Sequence, residues 1–318
     1  MKNAFSFTRK KIQSLKHWGY SVKYITSLAD LDRELDYVDS QFQISDDCGR
    51  LALSNFCFKI RRDDLPRNPF SREYYDFQMR LYSFISGRAG YDIANEEHVF
   101  DGEEMKNYPY PYSTGSASTV ADHLLSIGYV IKKANLPAYS TVLEFGSGWG
   151  NLTLTLAQMK YNVTCVEINK RFIDLIKYRS RDLKNQIRFF QQDMLSFSQD
   201  PDKKYDAVFF HESFDHCCDP ITMIKNLSNL LSENGIICFA SEPVMSYPIK
   251  FLPNPVLPYP WGVRLDGISV WSMRRFGWME LGFERHFFIQ MLSDAGFRSD
   301  LFSSDASPHM NLIIARKK

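Results

Sequence analysis

The chain has 318 residues, 44% of them apolar and 24% charged, and 38 basic side chains against 37 acidic ones leave a formal charge of +1. So weak a field draws in neither nucleic acid nor an anionic membrane, and no run of about 18 apolar residues offers a membrane span. The basic N-terminus lacks the apolar segment and small-residue cleavage site of a secretion signal, and the cysteines form no C-x-x-C pair, so a reduced cytoplasmic setting is expected.

Residues 1–115 read as a mainly helical accessory and lid region. Ser27 ahead of Leu28, Leu31, Leu35 and Val38 predicts a capped helix. Residues 46–58 are expected to form a small strand pair. Ser71 opens a second helix whose apolar face runs Tyr74, Tyr75, Met79, Leu81, Tyr82 and Ile85, ended by Gly87. Residues 108–115 alternate proline with tyrosine and are expected to be stiff and extended. They lead into a helix over residues 118–134.

Residues 142–145 read as a buried parallel strand. Gly146, Gly148 and Gly150 then allow a tight turn and a close backbone approach to a ligand. Leu152, Leu154, Leu156 and Ala157 continue as a helix whose first amides face that turn. A dinucleotide loop asks for a small residue where Asn151 stands. Glu144 instead suits a ligand with positive charge near the turn, such as S-adenosylmethionine with its ammonium and sulfonium. A second strand ends at Glu167, where a carboxylate can meet a ribose. A third, residues 187–191, is followed by Gln192, Asp193 and Met194, polar and apolar groups suited to bracket an adenine. Residues 206–210 and 235–240 give a fourth and fifth strand around a helix over 221–231. Strands alternating with helices imply a parallel, doubly wound sheet.

Taken in order, Glu144-x-Gly146-x-Gly148-x-Gly150, Glu167, Asp193-Met194 and the segment around Glu212 resemble the class I S-adenosylmethionine-dependent methyltransferases, over roughly residues 119 to 318. The resemblance implies a Rossmann-like seven-stranded α/β sheet whose last strand, residues 309–316, is antiparallel. It places the S-adenosylmethionine-binding domain at 116–318. Implied cofactor contacts are Glu144, Gly146, Ser147, Gly148, Gly150, Glu167, Ile168, Asp193, Met194 and Glu212. A lid over the cofactor is implied at Tyr108, Tyr112, Ser113 and Thr114, with Tyr112 the expected contact.

Open α/β sheets bind ligands at the carboxyl ends of their strands, and residues 211–220 gather two histidines and three carboxylates there. Glu212-Ser213-Phe214-Asp215-His216 resembles the segment bearing the catalytic histidine of several sugar and natural-product O-methyltransferases. That implies His216 as general base toward a hydroxyl. Asp215 stands where that pattern often has histidine and would orient the ring. Glu242 is implied as a second acid, and His211 faces acceptor or cofactor. The same position of His216 also suits a packing role. Asp215, Glu242 and a histidine are the donors a divalent ion would need, but they form no dedicated motif, so no metal is assigned.

Residues 245–283 depart from the minimal fold as an inserted cap. Pro248, Pro253, Pro255 and Pro258 precede Tyr259, Trp261, Arg264, Trp271, Arg274, Arg275 and Trp278. Aromatic faces and guanidinium forks suit a sugar or nucleotide-sugar acceptor, and equally an interface. The expected activity is O-methylation of a small polar acceptor, foremost a sugar hydroxyl in polysaccharide or natural-product biosynthesis. N-methylation of an amine or amino sugar, and a non-catalytic S-adenosylmethionine-binding partner protein, are the alternatives. No nucleic-acid or membrane partner is expected, and self-association is left open.

Overall fold

The computed structural model describes residues 23–60, 65–97, 99–100, 102–183, 186–198, 203–246 and 256–318. The basic N-terminus and Pro248, Pro253 and Pro255 lie outside them. After strand β1 (Lys23–Ile25), Ser27 caps helix α1 (Leu28–Phe42) by accepting the Asp30 N–H, and Leu31, Leu35 and Val38 are its buried face. Residues 46–54 do not form half of a strand pair. Ser45 accepts the Cys48 N–H, Asp46 and Asp47 favour the positive end of a helix, and Gly49, Ala52 and Leu53 bury at helical spacing on α2 (Asp46–Ser54). Strand β2 (Phe56–Phe58) pairs instead with β1, in parallel. Helix α3 (Arg72–Ser86) starts at the Ser71 cap and stops at Gly87 in the left-handed region.

Helix α4 (Gly102–Asn107) comes next. Residues 108–115 then turn rather than extend, because the Tyr112 N–H donates to the Pro109 carbonyl and the Thr114 N–H to that of Pro111. Helix α5 (Ala117–Ala134) leads into the sheet.

The sheet takes β3 (Thr141–Phe145), α6 (Asn151–Gln158), β4 (Asn162–Glu167), α7 (Lys170–Arg179), β5 (Ile187–Gln191), β6 (Tyr205–His211), α8 (Pro220–Leu227) and β7 (Leu231–Ala240) in chain order. Two C-terminal strands, β11 (Phe297–Ser303) and β12 (Asn311–Lys317), complete it in the order β11-β12-β7-β6-β3-β4-β5. All neighbours are parallel except β12, which runs against both β7 and β11. The seven strands and the reversed last strand agree with the expectation. Strand order reverses between β3 and β6, so the turns after these two strands open on one crevice.

The cap is a separate three-stranded sheet in which β10 (Leu281–Glu284) lies between β8 (Val244–Met245) and β9 (Trp261–Val263). Helix α9 (Gly267–Arg275) precedes β10, and α10 (Arg285–Asp294) follows it. Four cap residues expected to touch an acceptor are committed to the N-terminal region instead. Trp261 is fully buried against the Tyr74 ring at 5.4 Å and donates its Nε1–H to the Pro69 carbonyl. Trp271 donates its Nε1–H to Asp39 at 2.8 Å. Arg274 grips Asp32 with both forks, at 2.8 and 2.9 Å, and Arg275 lies 2.6 Å from Asp36 and 2.8 Å from Asp39. Their chemistry closes an internal interface, so the guanidinium forks have carboxylates of this chain to hold.

At that interface a Cβ on Gly267 would come within 2.0 Å of the Leu53 carbonyl oxygen and 2.9 Å of the Phe56 ring. Backbone cannot yield as a side-chain tip can. Gly267→Ala is therefore expected to cost about 2–3 kcal/mol, read as a lower midpoint in denaturant. An unchanged midpoint would contradict the packing of α9 on α2.

Candidate active site

The turn after β3 holds Gly146, Gly148 and Gly150 at φ of 65°, 47° and 77°. A Cβ on Gly146 would meet Ser213 Cβ at 2.6 Å, and one on Gly150 would meet Ile176 Cγ1 at 2.5 Å. Gly148 has no protein atom within 4 Å of that position. Two glycines are thus demanded by the protein's own packing, and the third faces a cavity of about 670 Å³.

Glu144, Ser147, Glu167, Ile168, Asp193, Met194, His211, Glu212 and His216 all line this cavity. Glu144 accepts from the Thr153 hydroxyl at 2.6 Å, and burial, with Glu167 nearby, pushes its carboxyl up to about 8. Glu167 accepts the Gly148 N–H and the Asn169 N–H, each at 2.9 Å. Burial raises its pKa, against the pull of those amides. The carboxylate therefore shapes the glycine turn as well as facing the cavity. Asp193 accepts the Leu195 and Ser196 N–H groups at 2.7 and 3.2 Å, turning the chain under the same wall. Gln192, also in that wall, buries its Oε1 without a hydrogen-bond partner. An orphaned acceptor beside an open glycine face is what a ligand with donor groups would complete.

The N-terminal region covers the cradle. Trp149 packs on Phe100 at 4.9 Å and Phe172 at 4.8 Å, with Tyr110 at 6.3 Å. Asn151 fastens this cover: its Nδ2 donates to the Tyr110 carbonyl at 2.8 Å, and its Oδ1 accepts from Arg179 at 3.0 Å. Tyr110 lines the cavity, whereas Tyr108, Tyr112 and Ser113 are exposed, because the turn at residues 108–115 points them outward. Of the segment expected over the cofactor, Tyr110 lines the cavity and Tyr112 does not.

A buried charged chain stands behind the part of the cavity that His216 and Glu96 line. The short 3-10 turn Phe214–His216 is held by Glu242, which accepts the N–H groups of Ser213 (3.0 Å), Phe214 (3.0 Å) and Asp215 (3.2 Å). Burial and the Asp215 carboxylate push Glu242 up to about 8. Asp215 pairs with Arg264 at 3.2 Å, and Arg264 also binds Glu280. None of Asp215, Glu242 and Arg264 lines the cavity. Glu242 is thus a clamp rather than a second acid, and Arg264 a buried counter-ion rather than an acceptor contact.

His216 does face the cavity. Its Nδ1 lies 3.2 Å from Glu96 Oε2 and its Nε2 lies 3.8 Å from Asp215 Oδ1. Burial works against the charged imidazole, but Asp215 and Glu96, with Glu280 further off, outweigh it and hold His216 well above the usual histidine range.

A second polar cluster surrounds Glu212, whose φ of 53° is the left-handed region. His309 Nδ1 lies 3.1 Å from Glu212 Oε1, and His123 Nδ1 lies 4.0 Å from Oε2. Asn151 Nδ2 donates to His123 Nε2 at 3.1 Å, which leaves the ring proton on Nδ1, toward Glu212. Burial lowers His123 to about 4, and although burial opposes it, the His309 hydrogen bond and neighbouring rings bring Glu212 down to about 2. His211 bonds Ser126 at 3.0 Å and burial holds it neutral near pH 7.

Sequence reasoning missed Asp46, Arg50, Glu96, Tyr110 and His123 in the lining, whereas Trp278 of the cap does line it. All five belong to segments before the sheet or to its leading helix, and of these only Tyr110 lies in the 108–115 segment read as a lid. Among the described residues, no three of His, Cys, Asp and Glu gather so as to hold a metal ion, and no helix is long and apolar enough to cross a membrane.

A family model described as a methyltransferase domain matches residues 142–235. The chain is 24% identical over 117 residues to the ubiquinone biosynthesis O-methyltransferase of Vibrio cholerae, covering 37% of this chain and 48% of that protein. Its identity to the protein of the same name from Actinobacillus pleuropneumoniae is 26% over 126 residues, 37% of this chain and 54% of the relative. The chain thus spans about half the length of the curated relatives it matches. A solved S-adenosylmethionine-dependent methyltransferase from Clostridium acetobutylicum overlays with a TM-score of 0.44 at 16% identity, over 62% of this chain and 92% of that one. The family match falls on the glycine turn and the parallel strands that carry Glu144 and Glu167, so this part of the chain is similar to a methyltransferase domain.

Proposed function

We propose that the protein transfers a methyl group from S-adenosylmethionine to a small polar acceptor, foremost a neutral sugar hydroxyl, with His216 as general base. The observation that carries this reading is that one cavity joins the open face of Gly148 to the imidazole of His216. The residues present fit the cofactor. Glu167 and the orphaned Gln192 Oε1 offer acceptors to hydroxyl and amino groups, while Ile168, Phe172 and Met194 supply apolar walls. When bound, S-adenosylmethionine supplies an electrophilic methyl carbon and a good leaving group.

What the chain adds is placement and proton handling. His216 takes the acceptor proton when its imidazole is neutral, and the adjoining carboxylates strengthen it as a base at the cost of keeping it protonated to higher pH. The charge of the lining narrows the acceptor. Asp46, Glu96, Asp193 and Glu212 face the cavity, and Arg50, the guanidinium there, is tied to Asp46 at 2.5 Å. Arg264, Arg274 and Arg275 are neutralised elsewhere. That balance disfavours a phosphorylated or nucleotide-linked sugar and suits a neutral or cationic molecule. The anionic Glu212 favours an amine as the second reading, with N-methylation as the chemistry.

Gly148→Asn tests the cradle. Asparagine tolerates the left-handed backbone, so the fold is expected to survive while the side chain fills the open face. Calorimetric titration should then show S-adenosylmethionine binding weakened by at least about tenfold, near 1.4 kcal/mol. Undiminished affinity would move the cofactor elsewhere.

The pH dependence tests the base. The active form is the unprotonated imidazole, and its folded-state pKa is raised. For a hydroxyl acceptor, kcat/KM should therefore rise with pH, with a midpoint above the ordinary histidine value of about 6.5. His216→Ala should remove that limb and lower the rate by about 10²–10⁴. A limb that persists in His216→Ala reports the acceptor's own amine and supports N-methylation.

A further inference from the structure

We propose that Glu96 is the positioning residue for His216, delivered by the N-terminal region so that the catalytic wall is complete only when that region is seated on the domain. The inference rests on the reading of His216 as base. Glu96 closes the 3-10 turn Ile93–Glu96, which Asp92 caps. Its side chain is only 10% exposed, so its carboxylate needs partners to offset the loss of water. Oε1 accepts the Met279 N–H of the cap at 2.6 Å, and Oε2 lies 3.2 Å from His216 Nδ1. One carboxylate therefore touches the N-terminal region, the cap and the turn after β6.

Of the other charged groups facing His216, Asp215 binds Arg264 through Oδ2 and keeps Oδ1 3.8 Å from Nε2, while Glu280 also holds Arg264. Glu242 is saturated by three amides, and Glu167 holds two. Glu96 presents its second oxygen to Nδ1 while Asp215 stands off Nε2, so two carboxylates bracket the imidazole, and Glu96 acts on it through charge at ion-pair distance, outside hydrogen-bond alignment. The neighbouring Cys217 and Cys218 are held protonated by burial and add no charge.

The test titrates His216 directly, by NMR of imidazole-labelled protein, in wild type, Glu96→Gln and Glu96→Asp. Glutamine keeps the size and an oxygen for the Met279 N–H but removes the charge. The His216 pKa is expected to fall by about one unit or more in Glu96→Gln and to recover part of that shift in Glu96→Asp. An unmoved His216 pKa in Glu96→Gln overturns the proposal, as does a full fall in both variants, which would show that the charge plays no part. The rate profile separates the two readings. A limb that follows the shifted pKa supports both, whereas a limb that stays put while the NMR pKa falls leaves Glu96 as the partner and removes His216 as base.

Discussion

A carboxylate that cannot reach water must be met by donors where it lies, and Glu242 fixes the geometry of this site for that reason. It stands just past β7 and takes three consecutive amides from the turn past β6. Such a clamp ties together the ends of two adjacent parallel strands, and it sets the direction in which Asp215 and His216 leave the backbone. The following links are equally constrained. Asp215 is compensated by Arg264, Arg264 by Glu280, and His216 by Glu96. Breaking one member of such a buried chain leaves an uncompensated charge, which costs more than the intact pair gains. The result is a wall whose parts belong to the sheet, the cap and the N-terminal region, and which is well formed only when all three are docked.

The docking itself rests on ordinary packing with polar fasteners. Tyr74, Tyr82 and Gln78 on α3 spend their polar atoms on the cap backbone, at Trp261, Gly277 and Val263. Arg274 and Arg275 meet an acidic stripe of Asp32, Asp36 and Asp39 on α1. On the other side of the cavity, Asn151 ties the cover to the glycine turn. The residue that broke the dinucleotide pattern is thus the one that holds Tyr110 and His123 over the cradle.

These contacts explain what was legible in the sequence. The cradle is encoded locally: glycines at left-handed positions, an acid at the end of each of two buried strands, and apolar runs of strand length all depend on near neighbours. Glu144, Glu167, Asp193 and His216 could be placed for that reason. Helix α2 was misjudged because the Ser45 cap, the acids behind it and the helical spacing of Gly49, Ala52 and Leu53 were passed over. The cap arginines were misjudged for a different reason. A guanidinium looks the same whether its partner is a ligand or an aspartate more than two hundred residues away. The stripe on α1 was readable as a complementary charge pattern, but only a fold could bring the two together. Glu96 carried no signal, since its segment has no periodicity and its role is created by tertiary contact.

The charge balance of the cavity follows from the same division. Every arginine of the cap that a nucleotide-sugar would have needed is neutralised by a carboxylate of this chain, and what remains exposed to the cavity is mainly acidic. An acidic lining lowers the local cost of a sulfonium and raises that of a phosphate, so under the proposed function it favours the cofactor over a phosphorylated acceptor. The cap and the N-terminal region therefore set the charge of the cavity through the groups they neutralise as much as through the side chains they present.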